Sequence, residues 1–163
     1  MSISGILGID LGTSSVKVLI LDTRGRTLAV GRAGYRVMTP RPGWAESDPG
    51  EWWQAVITAV RMATEQAPQA EIIAIGLSGQ MHGVVLVNEQ GHPLRPALLW
   101  PDTRAEAELA RYRALPAAAL RRLANPLVPG MAGPLLCWLA RHEAASYQAA
   151  RLALSPKDWL RLA

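Results

Sequence analysis

The stretch up to Tyr35 constrains the fold more tightly than any other part of this chain. Apolar Gly5 to Asp10 is followed by a Gly-Thr-Ser turn and then by Ser15 to Asp22, whose β-branched Val16, Val18 and Ile20 fall on one face. Asp22-Thr23-Arg24-Gly25 is a second turn signal, and Thr27 to Tyr35 reads as a third strand. Three strands joined by tight turns make an antiparallel meander, and Pro40, Pro42 and Gly43 end it.

A helix start follows at Asp48-Pro49-Gly50-Glu51, with Asp48 as N-cap, proline in the first turn and Glu51 placed to reach back as a capping box. Trp53, Val56, Ile57, Val60 and Ala63 recur at helical spacing, so one stripe is expected to pack on the sheet, with Pro68 as the stop. The nearly all-apolar run Ile72 to Leu77 reads as a central strand buried on both faces. After the loop Ser78 to His82, further strand is predicted at Val84 to Val87 and Ala97 to Trp100. Helical periodicity marks Ala105 to Arg113, Pro116 to Ala124 and Pro134 to Ala145, with a loop from Asn125 to Gly133. Arg151 to Leu154 reads as a last strand, and Ser155-Pro156-Lys157-Asp158 opens a last helix. The fold class is therefore α/β, a mixed sheet of about five strands flanked by helices.

Half of the 163 residues are hydrophobic and 18% are charged, the composition of one globular domain rather than a disordered chain. No apolar run approaches the roughly 18 residues of a membrane span, and no basic stretch leads into a signal-type region, so a soluble, cytoplasmic chain with no membrane partner is expected. Cys137 is a single cysteine and makes neither an internal disulfide nor a CxxC metal pair. The net charge of +4 favours an anionic partner. The arginines are scattered and never form a block longer than Arg121-Arg122, which argues against nucleic acid.

Gly8-Ile9-Asp10-Leu11-Gly12-Thr13-Ser14-Ser15 places a carboxylate at a strand end before a turn of glycine and hydroxyls. Successive N–H groups in such a turn form an anion nest, and the Thr13 and Ser14 hydroxyls add donors, which suits phosphate. A carboxylate beside phosphate needs a cation such as Mg²⁺, or its water shell, between them, which gives Asp10 a metal-holding role. The same residues also suit an ordinary hairpin turn, and neither GxxxxGK[ST] nor GxGxxG occurs.

The Asp10-Leu11-Gly12-Thr13 motif after an apolar strand resembles the first phosphate motif of the sugar kinase, actin and Hsp70 superfamily. Four further motifs occur in the order seen in FGGY carbohydrate kinases: Trp44-Ala45-Glu46-Ser47-Asp48-Pro49, Gly79-Gln80-Met81-His82-Gly83, Leu99-Trp100-Pro101-Asp102-Thr103-Arg104, and Leu154-Ser155-Pro156-Lys157-Asp158-Trp159-Leu160-Arg161. The Gln-Met-His-Gly loop is most similar to that of xylulokinases. The resemblance implies an RNase H-like fold (the actin, hexokinase and Hsp70 superfamily) and transfer of the γ-phosphoryl group of ATP, with Mg²⁺, to the 5-hydroxyl of D-xylulose. It implies phosphate binding by Gly12, Thr13 and Ser14, metal held through Asp10, and sugar contacts from Gln80, Met81, His82, Trp100, Asp102 and Arg104.

A neutral imidazole both donates to and accepts from hydroxyls, and a thioether offers an apolar wall, so His82 and Met81 suit a sugar; a purely structural loop histidine is the alternative. Trp100 can pack on the CH face of a polyol or fill a core. Asp102 and Arg104 can bind hydroxyls or each other, and Asp102 also suits an N-cap. Trp52, Trp53, Trp138 and Trp159 read as core.

This chain departs from the family at Pro101, often asparagine in xylulokinases, and at Met131 and Leu135, where an aromatic residue and a lysine are usual. It also ends before the family's Thr-Gly-Glu segment, its catalytic aspartate and the adenine-binding second domain. Residues 1–163 are thus expected to be a C-terminally truncated N-terminal kinase domain with no identifiable general base, inactive alone. Another FGGY specificity such as gluconate, or a non-catalytic sugar-binding fragment, is the alternative. Exposure of Trp159, Leu160 and Leu162 at the cut helix is expected to drive self-association or homodimerisation.

Overall fold

The computed structural model of the chain describes residues 2–123 and 126–163. In chain order the elements are β1 (Ile3–Leu11), β2 (Ser15–Asp22), β3 (Thr27–Gly34), β4 (Glu46–Ser47), α1 (Pro49–Gln66), β5 (Ala70–Gly79), β6 (Val85–Val87) and β7 (Ala97–Leu98). A 3-10 turn (Glu106–Glu108) leads into α2 (Leu109–Arg113), α3 (Ala117–Leu123), α4 (Ala132–His142), α5 (Ala144–Ala149), β8 (Leu152–Leu154) and α6 (Pro156–Leu162). The predicted helix end at Ala124 and loop start at Asn125 lie outside the described residues. The chain divides into two compact units: the chain as far as Val37 with Asp48–Gln80 and Pro156–Ala163, and Met38–Ser47 with Met81–Ser155.

The first unit is a four-stranded sheet of order β3-β2-β1-β5. The meander forms as the turn signals require: β1 and β2 pair antiparallel with Leu11 opposite Val16, and β2 and β3 pair antiparallel. The β2–β3 turn is closed by the Asp22 carboxylate, which accepts from the backbone N–H groups of Arg24 and Arg26 at 2.9 Å each, with Gly25 in the left-handed region at φ 80°. β5 returns parallel to β1, the direction a helical crossover produces.

Period-2 patterning buries Leu7, Ile9 and Leu11 of β1 with Val16, Val18 and Ile20 of β2, as alternation predicts. α1 covers this face with Trp52, Ala55, Val56, Ala59 and Ala63. Its buried stripe is therefore turned from the expected one: Trp52 is fully buried, whereas Trp53 is exposed. The reason is spatial. A Cβ on Gly31 of β3 would stand 1.8 Å from the Ala59 carbonyl oxygen, so α1 rides on the sheet at backbone contact, and small Ala55, Ala59 and Ala63 must face inward there. Asp48 caps α1 by accepting from Gly50 N–H at 2.8 Å, but Glu51 does not complete the box; its carboxylate accepts from Arg36 N–H at 3.0 Å.

Two expectations fail in this unit. Among the described residues the run Ile72 to Leu77 pairs with β1 alone and is not buried on both faces, Ile73 and Ile75 being 59% and 65% exposed, while the mixed sheet of four strands agrees with the expected sheet of about five. An all-apolar run reports affinity for burial, not that cover is present. At the last helix, Trp159 and Leu160 are buried, Trp159 edge-on to Trp52 at 5.9 Å, and only Leu162 remains exposed.

The second unit is built from two small antiparallel pairs, β4 with β7 and β6 with β8. Its core gathers Val84, Leu86, Leu98, Ala105, Leu135, Trp138 and Leu139. The predicted helix at Pro134 to Ala145 is two helices, α4 and α5, broken at Glu143. Met131 and Leu135 part company: Leu135 is core, Met131 lines a cavity.

Replacing Gly31 by alanine forces β3 from α1 and is expected to destabilise the chain by about 1–3 kcal/mol, read as a lowered urea midpoint.

Candidate functional site

The β1–β2 turn is held from inside. Gly12 N–H donates to the Ser15 carbonyl at 3.0 Å, Tyr35 N–H donates to the Ser14 carbonyl at 3.1 Å, and the Tyr35 hydroxyl donates to the Gly12 carbonyl. Burial and then the nearby charge of Asp10 raise the Tyr35 phenol above its ordinary range. Tyr35 is a residue the sequence reading missed. It lies far along the chain from Gly12, and no local pattern announces the contact.

Asp10 is exposed at the carboxyl end of β1, opposite Lys17 of β2 and Ser78 of β5. Beside it an open groove of about 380 Å³ is lined by Gly8, Asp10, Lys17, Leu19, Gly76 and Ser78. Gly8 and Gly76 are register partners, and a Cβ on either would meet nothing within 4 Å, so the groove floor is open to a ligand. Lys17 was also missed; the hairpin register, counting outward from the turn, was the available signal. Among the described residues no three His, Cys, Asp or Glu side chains cluster to hold a metal. Asp10 as a lone carboxylate fits a Mg²⁺ ion that keeps most of its water and its phosphate ligands.

The second loop begins in the same unit. Gln80 N–H donates to the Leu11 carbonyl at 2.7 Å, tying the end of β5 to the end of β1 next to Asp10 and Gly12. Gly79 is needed here, since a Cβ would press at 3.2 Å on both the Leu11 carbonyl oxygen and the Lys157 Cβ. Both polar atoms of the Gln80 carboxamide are buried without a hydrogen-bond partner. A buried amide left unpaired costs about 1–3 kcal/mol, so a partner brought by a ligand is favoured.

The chain then enters the second unit. Met81 is 66% exposed and His82 adopts φ 61°, a left-handed conformation that a non-glycine residue takes only at a cost. His82 lines two cavities of about 180 and 230 Å³; the first also has Tyr112, Met131 and Pro134 in its wall, the second Leu136 and Ser155.

Trp100 is 49% exposed, on a loop supported from below. A Cβ on Gly130 would lie 1.8 Å from the Trp100 carbonyl oxygen, so that loop and residues 129–134 meet at backbone contact. Asp102 and Arg104, in contrast, are spent on each other. Asp102 is 1% exposed, and its two oxygens accept from Arg104 Nε and Nη2 at 2.8–3.0 Å, from Arg104 N–H and from Ala45 N–H. Arg104 also donates to Glu46 Oε1 at 2.6 Å, which accepts from Arg95 at 2.7 Å as well. The Arg104 guanidinium lies 3.6 Å from the Trp44 ring centre and 4.9 Å from that of Trp138. Of the two roles open to this pair, the geometry displays mutual pairing. Trp44 and Glu46 are thereby explained as its anchors, which the sequence did not reveal.

The profile of the N-terminal domain of the FGGY family of carbohydrate kinases matches residues 5–163. The chain belongs to the FGGY carbohydrate kinases. Among curated members of this family, it is 39% identical over 156 residues to the xylulose kinase of Escherichia coli (strain K12), an alignment covering 96% of this chain and 32% of that one. It is 37% identical over 159 residues to the xylulose kinase of Streptomyces rubiginosus, covering 95% and 32%. Among solved structures, a xylulose kinase from Rhodospirillum rubrum superposes with TM-score 0.91 at 27% identity over 97% of this chain and 33% of that one. A gluconate kinase from Lactobacillus acidophilus superposes with TM-score 0.90 at 25% identity, covering 98% and 32%. This FGGY chain thus spans about a third of the length of the relatives it matches, and it has their actin/hexokinase-like α/β fold. Among the described residues, no helix is long and apolar enough to cross a membrane.

Two outcomes follow from the geometry. Arg104→Ala leaves two buried carboxylates short of their cation and is expected to cost about 3–5 kcal/mol in urea unfolding. Because the folded-state phenol of Tyr35 titrates above its unfolded value, its contribution to stability is complete below about pH 10 and is lost as pH rises toward the folded value. Alkaline unfolding curves of Tyr35→Phe are therefore expected to be flatter above pH ~10 than those of the unsubstituted chain.

Proposed function

We propose that this chain is the N-terminal, sugar-binding portion of an ATP-dependent xylulose kinase, a cytoplasmic enzyme converting D-xylulose and ATP to D-xylulose 5-phosphate and ADP. The observation that carries this reading is the Gln80 N–H to Leu11 carbonyl bond, which sets the first residue of the sugar loop beside the strand end that bears Asp10 and the phosphate turn. The xylulose kinase relatives supply the choice of sugar.

Phosphoryl transfer asks a protein mainly for positioning and for charge neutralisation on the phosphoryl oxygens. Gly12, Thr13 and Ser14 supply the turn that receives phosphate, and Asp10 holds Mg²⁺ through its water shell. When bound, that ion neutralises charge on the phosphates. Gln80, Met81, His82 and Trp100 are the groups available to meet the sugar: a carboxamide in need of partners, a soft apolar wall, an imidazole that both donates and accepts, and an exposed aromatic face. Asp102 and Arg104 serve the sugar by fixing the loop that carries Trp100. No general base is assigned among these residues.

The purified 163-residue chain is therefore expected to bind D-xylulose, seen as shifts of the Met81 methyl and His82 ring resonances, and to release no ADP. Xylulose-dependent ADP release by this chain, or the same shifts with D-gluconate and none with D-xylulose, overturns the reading. Gln80→Leu and His82→Gly are expected to weaken xylulose binding about tenfold or more while leaving stability unchanged or raised, since each removes an unpaired amide or a strained φ. Calorimetric titration and urea unfolding read the two effects separately.

A further inference from the structure

We propose that Tyr112 is a further sugar-binding residue, its phenol hydrogen-bonding a hydroxyl in the cavity that it shares with His82. The proposal rests on the xylulose kinase reading and adds a group to those named there. The residues it uses all lie in the second unit. Tyr112 stands on α2, and its hydroxyl reaches the first turn of α4. A Cβ on Gly133 would lie 2.4 Å from that oxygen and 3.2 Å from the ring Cζ, so the phenol fills a space that only glycine leaves open.

The phenol has hydrogen-bonding capacity to offer. Its oxygen is 4.0 Å from Cys137 Sγ, the outer limit of a contact to sulfur, and a thiol is a weak partner. Burial first, and then the neighbouring Cys137, raise the phenol above its ordinary range, so it keeps its proton at neutral pH and can donate it to a ligand oxygen.

The rest of the wall explains why a second polar group matters. The cavity of about 180 Å³ is roughly six times the ~30 Å³ share of one water molecule in the liquid, room for one end of a short polyol. Val128, Met131 and Pro134 in its wall are apolar, and a hydroxyl drawn against them finds no partner. A neutral imidazole has one donor and one acceptor. A polyol carries hydroxyls on neighbouring carbons, each able to donate and to accept, so His82 alone cannot satisfy two of them. Tyr112 supplies one more donor and two more lone pairs in the same cavity.

Carbon-13 labelling of the three tyrosines at Cζ tests this in the unsubstituted chain. On titration with D-xylulose the Tyr112 resonance is expected to shift together with the Met81 methyl and the His82 ring, while Tyr35 and Tyr147 stay still. Tyr112→Phe is expected to raise the Kd for D-xylulose about tenfold in calorimetric titration, with the urea midpoint little changed. Gly133→Ala, which displaces the hydroxyl, is expected to weaken binding similarly by itself and to add little in the Tyr112→Phe background, where the clashing oxygen is gone. Shifts at Met81 and His82 with Tyr112 still, or an affinity indifferent to Tyr112→Phe, overturn the assignment and leave the sugar reading standing. Weakened binding that comes only with a lowered urea midpoint and an unshifted Tyr112 marks the phenol as a packing residue and overturns it as well. No shift at any of the three residues overturns the sugar reading and this proposal with it.

Discussion

The parallel pairing of β1 with β5 is the constraint on which the candidate site depends. It delivers two strand ends to one place, and the Gln80 N–H to Leu11 carbonyl bond fixes them there at 2.7 Å. Without that register, Asp10 would be unrelated to Ser78 and Gln80, from which β2, β3 and α1 separate it along the chain. The crossover helix makes the register possible because its small inward residues let it lie against β3 at backbone contact. Gly31 in β3 and Gly79 in β5 therefore act on the site through packing, by setting how closely helix and strands approach.

The second unit is organised by a different force. A guanidinium packed against two indoles, with three carboxylate oxygens along one edge, is a charge removed from water and compensated along that edge, while its Nη1 is left without a hydrogen-bond partner. Such a cluster adds little net stability against an apolar replacement of the same shape, but it punishes loss of any one member. It also selects one geometry for the loop that carries Trp100, because a planar bidentate pair tolerates little rotation.

The sequence disclosed the elements that rest on local chemistry. Alternation gave the meander, Asp48 and Pro49 gave the start of α1, and Asp22 with Gly25 gave the second hairpin turn. It failed wherever a partner lay far along the chain. The inward stripe of α1 is set by a glycine on another strand, the hold on the β1–β2 turn by Tyr35, and the fate of Asp102 and Arg104 by Trp44, Glu46 and Arg95. The exposure of Ile73 and Ile75 in β5 was illegible for the complementary reason: hydrophobicity states what a strand would gain from cover, and says nothing of whether cover is supplied. The motif order named candidate residues, but only the coordinates separated Trp100, which is exposed, from Asp102 two residues later, which is not.

The phenol bonded to the Gly12 carbonyl has an electrostatic meaning beyond holding the turn in shape. A backbone oxygen carries partial negative charge, and one left bare would push an incoming anion away. With one of its lone pairs already engaged by Tyr35, that oxygen is muted toward an approaching anion.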